Sequence, residues 1–226
     1  MEKISNHPQQ ELMAAYSAGS LPLSQALCIS THLEHCPECV RKLQRLDHVG
    51  SELMQQLKPA PASSELRDKL FARLDSLTED SGTEDSVEKV DQDADSAVPK
   101  CLRQFVDEGF DKLQWKRVSA DIQSVQLCRD SNGARVELLK IRPGGSAIKH
   151  THLGDEYTVI LEGGFSDESG LYGEGDFLFR DNSDEHTPVA TQHRECLCLA
   201  VTEGPIQFTG VFSRLLNPFV RRNFAL

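Results

Sequence analysis

No apolar run in this 226-residue chain approaches the ~20 residues needed to cross a bilayer, which excludes a membrane-spanning helix and a membrane partner. The opening MEKISNHPQQELM lacks the apolar stretch of a secretory signal, so a cytoplasmic location is expected. Positive charge is scarce: 24 Lys and Arg stand against 35 Asp and Glu, for a net charge of −11. There is no basic stripe or basic helix, which argues against direct nucleic-acid binding and against a zinc-finger DNA binder. The acidity is itself local, because residues 79–95 (EDSGTEDSVEKVDQDAD) hold a net −7. Internal repeats are absent. Cysteine is not: there are seven, an odd number. The cytosol keeps thiols reduced, so metal binding or thiol chemistry is a better explanation for them than disulfides.

Composition changes sharply twice, which predicts an α+β chain of two domains. Residues 1–78 read as a bundle of about four helices, 79–100 as an acidic flexible linker, and 101–226 as an antiparallel β jelly roll. Pro8 suits a first helical turn, and Gly19 a stop after Ala18. A second helix opens near Pro22, with Leu23, Ala26, Leu27, Ser30 and Leu33 on one stripe, and must break at Pro37. A third runs to about Leu57, with Val40, Leu43, Leu46, Val49, Leu53 and Leu57 on one side. Ser63 or Ser64 can cap a fourth, whose face is Leu66, Leu70, Leu74 and Leu77 with Phe71 beside it. Strands are expected near 134–142, 156–162, 176–180, 195–202 and 206–212, with alternating polar and apolar residues and glycine turns between them.

The string His32-Leu-Glu-His-Cys36-Pro-Glu-Cys39 is the strongest local signal. His32 and Cys36 share one helix face. Cys39 would lie about 10 Å from His32 along a straight helix, too far for one tetrahedral ion. Pro37 removes the objection by ending one helix and starting the next, which folds Cys39 back. A structural zinc takes four ligands. Among His7, Cys28, His35 and His48, His7 is preferred, because it precedes the first helix and can approach flexibly. Cys28 is about 12 Å away by rise, His35 points off the face, and His48 lies more than two turns along the third helix.

The pattern His7, His32, Cys36, Cys39 resembles the zinc-binding anti-sigma domain, over about residues 5–78. The resemblance implies one Zn2+ in a small helical bundle that grips an extracytoplasmic-function (group IV) sigma factor. It also implies that Leu66, Leu70, Phe71 and Leu74 of the fourth helix contact that partner, although packing on the bundle would equally account for their apolar face.

A second constellation follows: His150, His152 and Glu156 share one parity, and so one face of an extended chain. Imidazoles with a carboxylate suit a divalent transition metal, zinc by preference. His186 in Asp-Glu-His-Thr-Pro is the natural fourth ligand, ahead of His193. These stretches resemble the two signature motifs of the cupin superfamily, except that Asp181-Asn-Ser stands where Pro-x-Gly is expected. Helical zinc domain plus cupin is similar to the ChrR type of anti-sigma factor. That resemblance implies a regulator without catalytic turnover, in which the helical domain suffices for sigma binding and the cupin serves the response to singlet oxygen and related oxidants. Cys196 and Cys198, two apart on one strand, are expected to be packing residues, with a redox role as the lesser reading. The competing function is a dioxygenase-like metal-dependent cupin enzyme, which would have no use for the N-terminal zinc motif.

Overall fold

Gly19 and Pro37 punctuate the first helices of the computed structural model, which describes residues 4–79 and 97–225. Helix α1 spans Gln10–Ser17 and α2 spans Leu23–His35. Gly19 adopts φ +65°, a left-handed conformation open to glycine, and so ends the α1 segment. Helix α2 ends at Cys36, which is extended (φ −115°, ψ 94°), as proline requires of the residue before it. Helix α3 (Pro37–Gln55) begins on that proline. Helix α4 (Ser64–Glu79) is capped by Ser63, whose hydroxyl oxygen accepts the Leu66 N–H at 3.1 Å. The acidic stretch expected to be a linker lies mostly outside the described residues.

The described residues divide into two compact units. One comprises the segment up to His48 together with everything from Val98 onward; the other runs from Val49 to Ala97. In the first unit twelve strands follow the helices: β1 (Lys116–Arg117), β2 (Ile122–Arg129), β3 (Arg135–Ile141), β4 (His150–His152), β5 (Glu156–Glu162), β6 (Gly164–Asp167), β7 (Gly170–Gly173), β8 (Phe177–Arg180), β9 (Glu185–His186), β10 (Val189–Ala190), β11 (Cys196–Thr202) and β12 (Ile206–Phe208). Helix α5 (Asn217–Ala225) closes the described chain. The strands form one six-stranded sheet, β1-β2-β3-β11-β5-β8, and two of three, β10-β6-β7 and β12-β4-β9, with antiparallel pairing between the named strands. This is the cupin-like antiparallel domain the sequence predicts.

The central strands β5 and β11 of the large sheet are buried on both faces. Ile160, Leu178 and Cys196 meet Phe165, Tyr172 and Ala190 of the small sheet in an inner core. On the outer face Leu197, Leu199, Val201, Val159 and Tyr157 join a core with Met13, Leu27, Cys28 and Ile29 of the helices. Polar contacts pin α2 down: the Ser24 hydroxyl donates to Asp130, and the Gln25 amide donates to Glu203 at 2.6 Å. At the other end of the helix the Glu34 carboxylate accepts the backbone N–H groups of Lys100 and Cys101.

Three local expectations need correction. Strand β11 is buried at every residue from Cys196 to Val201, because helices and barrel cover its two faces, so the alternating pattern fails there. The strand expected over 206–212 stops at Phe208, and Ser213–Leu216 is a 3-10 turn. The apolar stripe of α3 is half-buried at Leu43 and Leu46 but exposed at Val49 and Leu53.

Candidate metal centres

The break at Pro37 brings the first four predicted ligands together. One donor atom each from His7, His32, Cys36 and Cys39 lies within 4.8 Å of all the others. Nδ1 of His7 is 3.4 Å from the Sγ atoms of both Cys36 and Cys39, and the Cys39 N–H points at Cys36 Sγ from the same distance. Donor atoms on a tetrahedral zinc with bonds of 2.0–2.3 Å sit about 3.3–3.8 Å apart, so these separations fit. His32 is fully buried, and its Nε2 has no hydrogen-bond partner. Its Nδ1 donates to the carbonyl oxygen of Gly175 at 2.7 Å, which fixes the tautomer with Nε2 as the free donor. Burial, assisted by His7 and His35, lowers the His32 pKa to about 4 against the opposing Gly175 bond. The ring is therefore neutral at physiological pH, as a ligand must be. Burial and the neighbouring Cys36 push the Cys39 thiol up to about 12. Among the alternatives, Cys28, His35 and His48 stay outside the set.

The second cluster lies inside the barrel, where β4 pairs with β9 so that His150 stands opposite His186. His150, His152 and His186 are buried, and their donors also converge within 4.8 Å. Nε2 of His186 lies 3.1 Å from Nε2 of His152 and 3.2 Å from Nε2 of His150. The outer nitrogens are occupied: Nδ1 of His150 donates to the Ile148 carbonyl at 2.7 Å, and Nδ1 of His186 to Asp167 at 3.1 Å. Three inward-facing imidazole nitrogens match the donor set of a divalent transition metal. Glu156 is placed differently from the histidines. Its carboxylate lies 2.9 Å from Nδ1 of His152 and accepts the Thr158 hydroxyl at 2.8 Å, and it is not among the three converging groups. Burial alone would raise its pKa, but His152, His150 and His186 hold it down at about 2, so it is a carboxylate. Cys196 and Cys198 are buried in β11, outside both clusters.

Helix α4 belongs to the second unit. Leu66, Leu70, Phe71 and Leu74 are all exposed, and no described side chain of the helix is buried. Packing among the described residues of its own unit therefore does not account for this apolar face.

Residues 106–207 match the family described as the ChrR cupin-like domain. The chain is 32% identical over 219 residues to the anti-sigma-E factor ChrR of Cereibacter sphaeroides, an alignment that covers 96% of this chain and 99% of that one. It also matches the crystal structure of Rhodobacter sphaeroides SigE in complex with the anti-sigma ChrR, with a TM-score of 0.76 and 32% identity over 88% of this chain and 100% of that chain. The chain belongs to the ChrR family of anti-sigma factors.

In this ChrR-family chain the supporting residues around the two clusters carry no pattern that the sequence could have disclosed. Asp167 is the clearest. Its side chain is fully buried and accepts four hydrogen bonds, from the Ser169 N–H, Tyr172, Arg180 and His186. Burial would raise its pKa, but these bonds, Arg180 first, hold it at about 2. Gly175 and Asp176 are likewise invisible as partners of the helical cluster until the barrel turn is seen against α2. No described helix is long and apolar enough to cross a membrane.

Proposed function

We propose that this chain binds and inhibits an extracytoplasmic-function (group IV) sigma factor, and releases it under an oxidant such as singlet oxygen that acts on the barrel metal site. The carrying observation is the exposed apolar face of α4, Leu66, Leu70, Phe71 and Leu74, in a chain of the ChrR family. An exposed apolar patch of this kind marks an interaction surface. In the similar crystal structure the anti-sigma ChrR is bound to SigE, which points to the partner class.

Zinc is the proposed ion of the first cluster, held by His7, His32, Cys36 and Cys39. It would cross-link the N-terminal segment, the end of α2 and the start of α3. A second divalent ion, zinc again by preference, is proposed for His150, His152 and His186, with Glu156 as a fourth ligand once its carboxylate turns from Nδ1 of His152 toward the ion. The division of labour is proposed along the boundaries 1–78, 79–100 and 101–226. The outer nitrogens of His150 and His186 are committed to Ile148 and Asp167, and the chain's own groups thereby hold the inner nitrogens ready for an ion.

The test is capture from the native cell. The full chain should retain one sigma factor as its major partner, and the sigma-dependent promoter should be silent while the chain is present. Recovery of no sigma factor, together with steady turnover of a small molecule by the purified protein, would replace this reading with the cupin-enzyme alternative.

A further inference from the structure

Two of the four side chains in the helical cluster are positioned from the barrel. The carbonyl oxygen of Gly175 accepts the Nδ1–H of His32 at 2.7 Å, leaving Nε2 as that ring's free donor. The chain leading to His7 is tied down by Asp176, a buried carboxylate. Its Oδ1 accepts the backbone N–H groups of Ser5 and Asn6 at 2.8 Å each, and its Oδ2 accepts the Gly173 N–H at 2.9 Å. The Phe177 N–H completes the tie by donating to the Asn6 carbonyl at 3.0 Å. The Phe177 ring meets that of His32 edge-on, with centroids 5.8 Å apart. The fit at Gly175 is close: its φ is +86°, and a Cβ there would lie 2.6 Å from Cδ1 of Ile4 and 3.0 Å from Cβ of His35.

We infer that the barrel turn Gly173–Phe177 is the outer shell of the helical metal cluster, with Gly175 orienting His32 and Asp176 positioning the approach of His7. This rests on reading that cluster as a metal site. Groups that orient a ligand contribute to metal affinity almost as the ligands do. Coupling free energies are reciprocal, so metal held at the helices also holds the barrel turn against them. The anti-sigma segment and the sensory barrel are thereby joined at the metal itself and not only through the connecting chain. The plainer account makes Asp176 a turn-stabilising carboxylate. It predicts lost stability without altered metal affinity in the folded protein.

The full chain carrying Asp176→Asn, Asp176→Ala or Gly175→Ala would be titrated with Co2+ and then competed with Zn2+. Thiolate-to-cobalt charge transfer arises at Cys36 and Cys39, and not at the barrel cluster, which has no thiolate, so each addition reports on the helical site. Asp176→Ala should weaken Co2+ and Zn2+ there by about 10–100-fold. Asp176→Asn, which retains one acceptor oxygen, should fall between that variant and the wild type. Gly175→Ala should weaken binding and shift the cobalt d–d bands, since the turn is wedged from His35 and Ile4. Asp176→Asn is the decisive variant should either alanine variant fail to fold, as judged by circular dichroism. Wild-type affinity within twofold and an unchanged spectrum in folded Asp176→Asn and one alanine variant would overturn the inference. No charge-transfer band in the wild type would instead overturn the metal reading beneath it.

Discussion

His186 donates through Nδ1 to Oδ2 of Asp167 at 3.1 Å, and Arg180 reaches the same oxygen at 3.0 Å. One buried carboxylate therefore orients a barrel histidine and neutralises a largely buried guanidinium. Asp167→Ala would leave Arg180 without its carboxylate partner, a loss of about 3–5 kcal/mol for a broken buried pair. It should also weaken metal at the barrel cluster by about 10–100-fold. Urea unfolding and chelator competition on the same variant measure the two effects. Unchanged metal affinity in a destabilised protein would reduce Asp167 to an ion-pair residue.

The full chain should carry about two metal ions, one per cluster. Cys36→Ser with Cys39→Ser should lower this to about one and leave the barrel ion in place. Because burial holds the Cys39 thiol at about 12, metal must displace its proton, and the apparent affinity of the helical site should rise with pH between about 6 and 8. Elemental analysis and calorimetry in buffers of different ionisation enthalpy check both statements. Metal uptake without proton release would count against thiolate ligation.

Leu70→Ala and Phe71→Ala remove exposed side chains and should leave the melting temperature almost unchanged, as surface substitutions stay within about 0.5 kcal/mol. Binding of the sigma factor should nonetheless weaken by about 2 kcal/mol or more for an anchor residue, roughly 30-fold in Kd. Affinity measured beside a thermal melt separates the two. Equal affinity in both variants would move the partner surface away from α4.

His150→Ala and Glu156→Ala should retain sigma binding, because the proposed partner surface lies elsewhere in the chain. They should lose induction of a sigma-dependent reporter under singlet oxygen or organic peroxide, with protein levels matched. Normal induction from a barrel that holds no metal would make that site structural.

The parts legible in the sequence were those set by short-range chemistry. Proline before Glu38 and glycine after Ala18 located helix ends within a residue or two, and the His-x3-Cys-x2-Cys string named a real four-donor cluster once His7 was added. Parity along β4 predicted that His150 and His152 would converge. What stayed hidden depends on distant contacts. Ile122–Arg129 lacks a clean alternation, since it bends through a register shift between Gln126 and Cys128, and was not foreseen as a strand. Helix α5 was not foreseen either. Glu156 shares the parity of the histidines but lies against the outer nitrogen of His152, because parity fixes a face and not a rotamer. Asp167 and Gly175 act on histidines 19 and 143 residues away in sequence, a separation at which spacing carries no information.

Strand β11 has helices against one surface and the barrel interior against the other. Leu197, Leu199 and Val201 answer to the helices; Cys196 and, by period two, Cys198 and Ala200 answer to the barrel. Neighbouring positions thus serve two different bodies of the molecule. Deleting a single residue there would exchange the two sets and present each to the wrong neighbour, so this strand tolerates a change of side chain within a face far more readily than a change of frame.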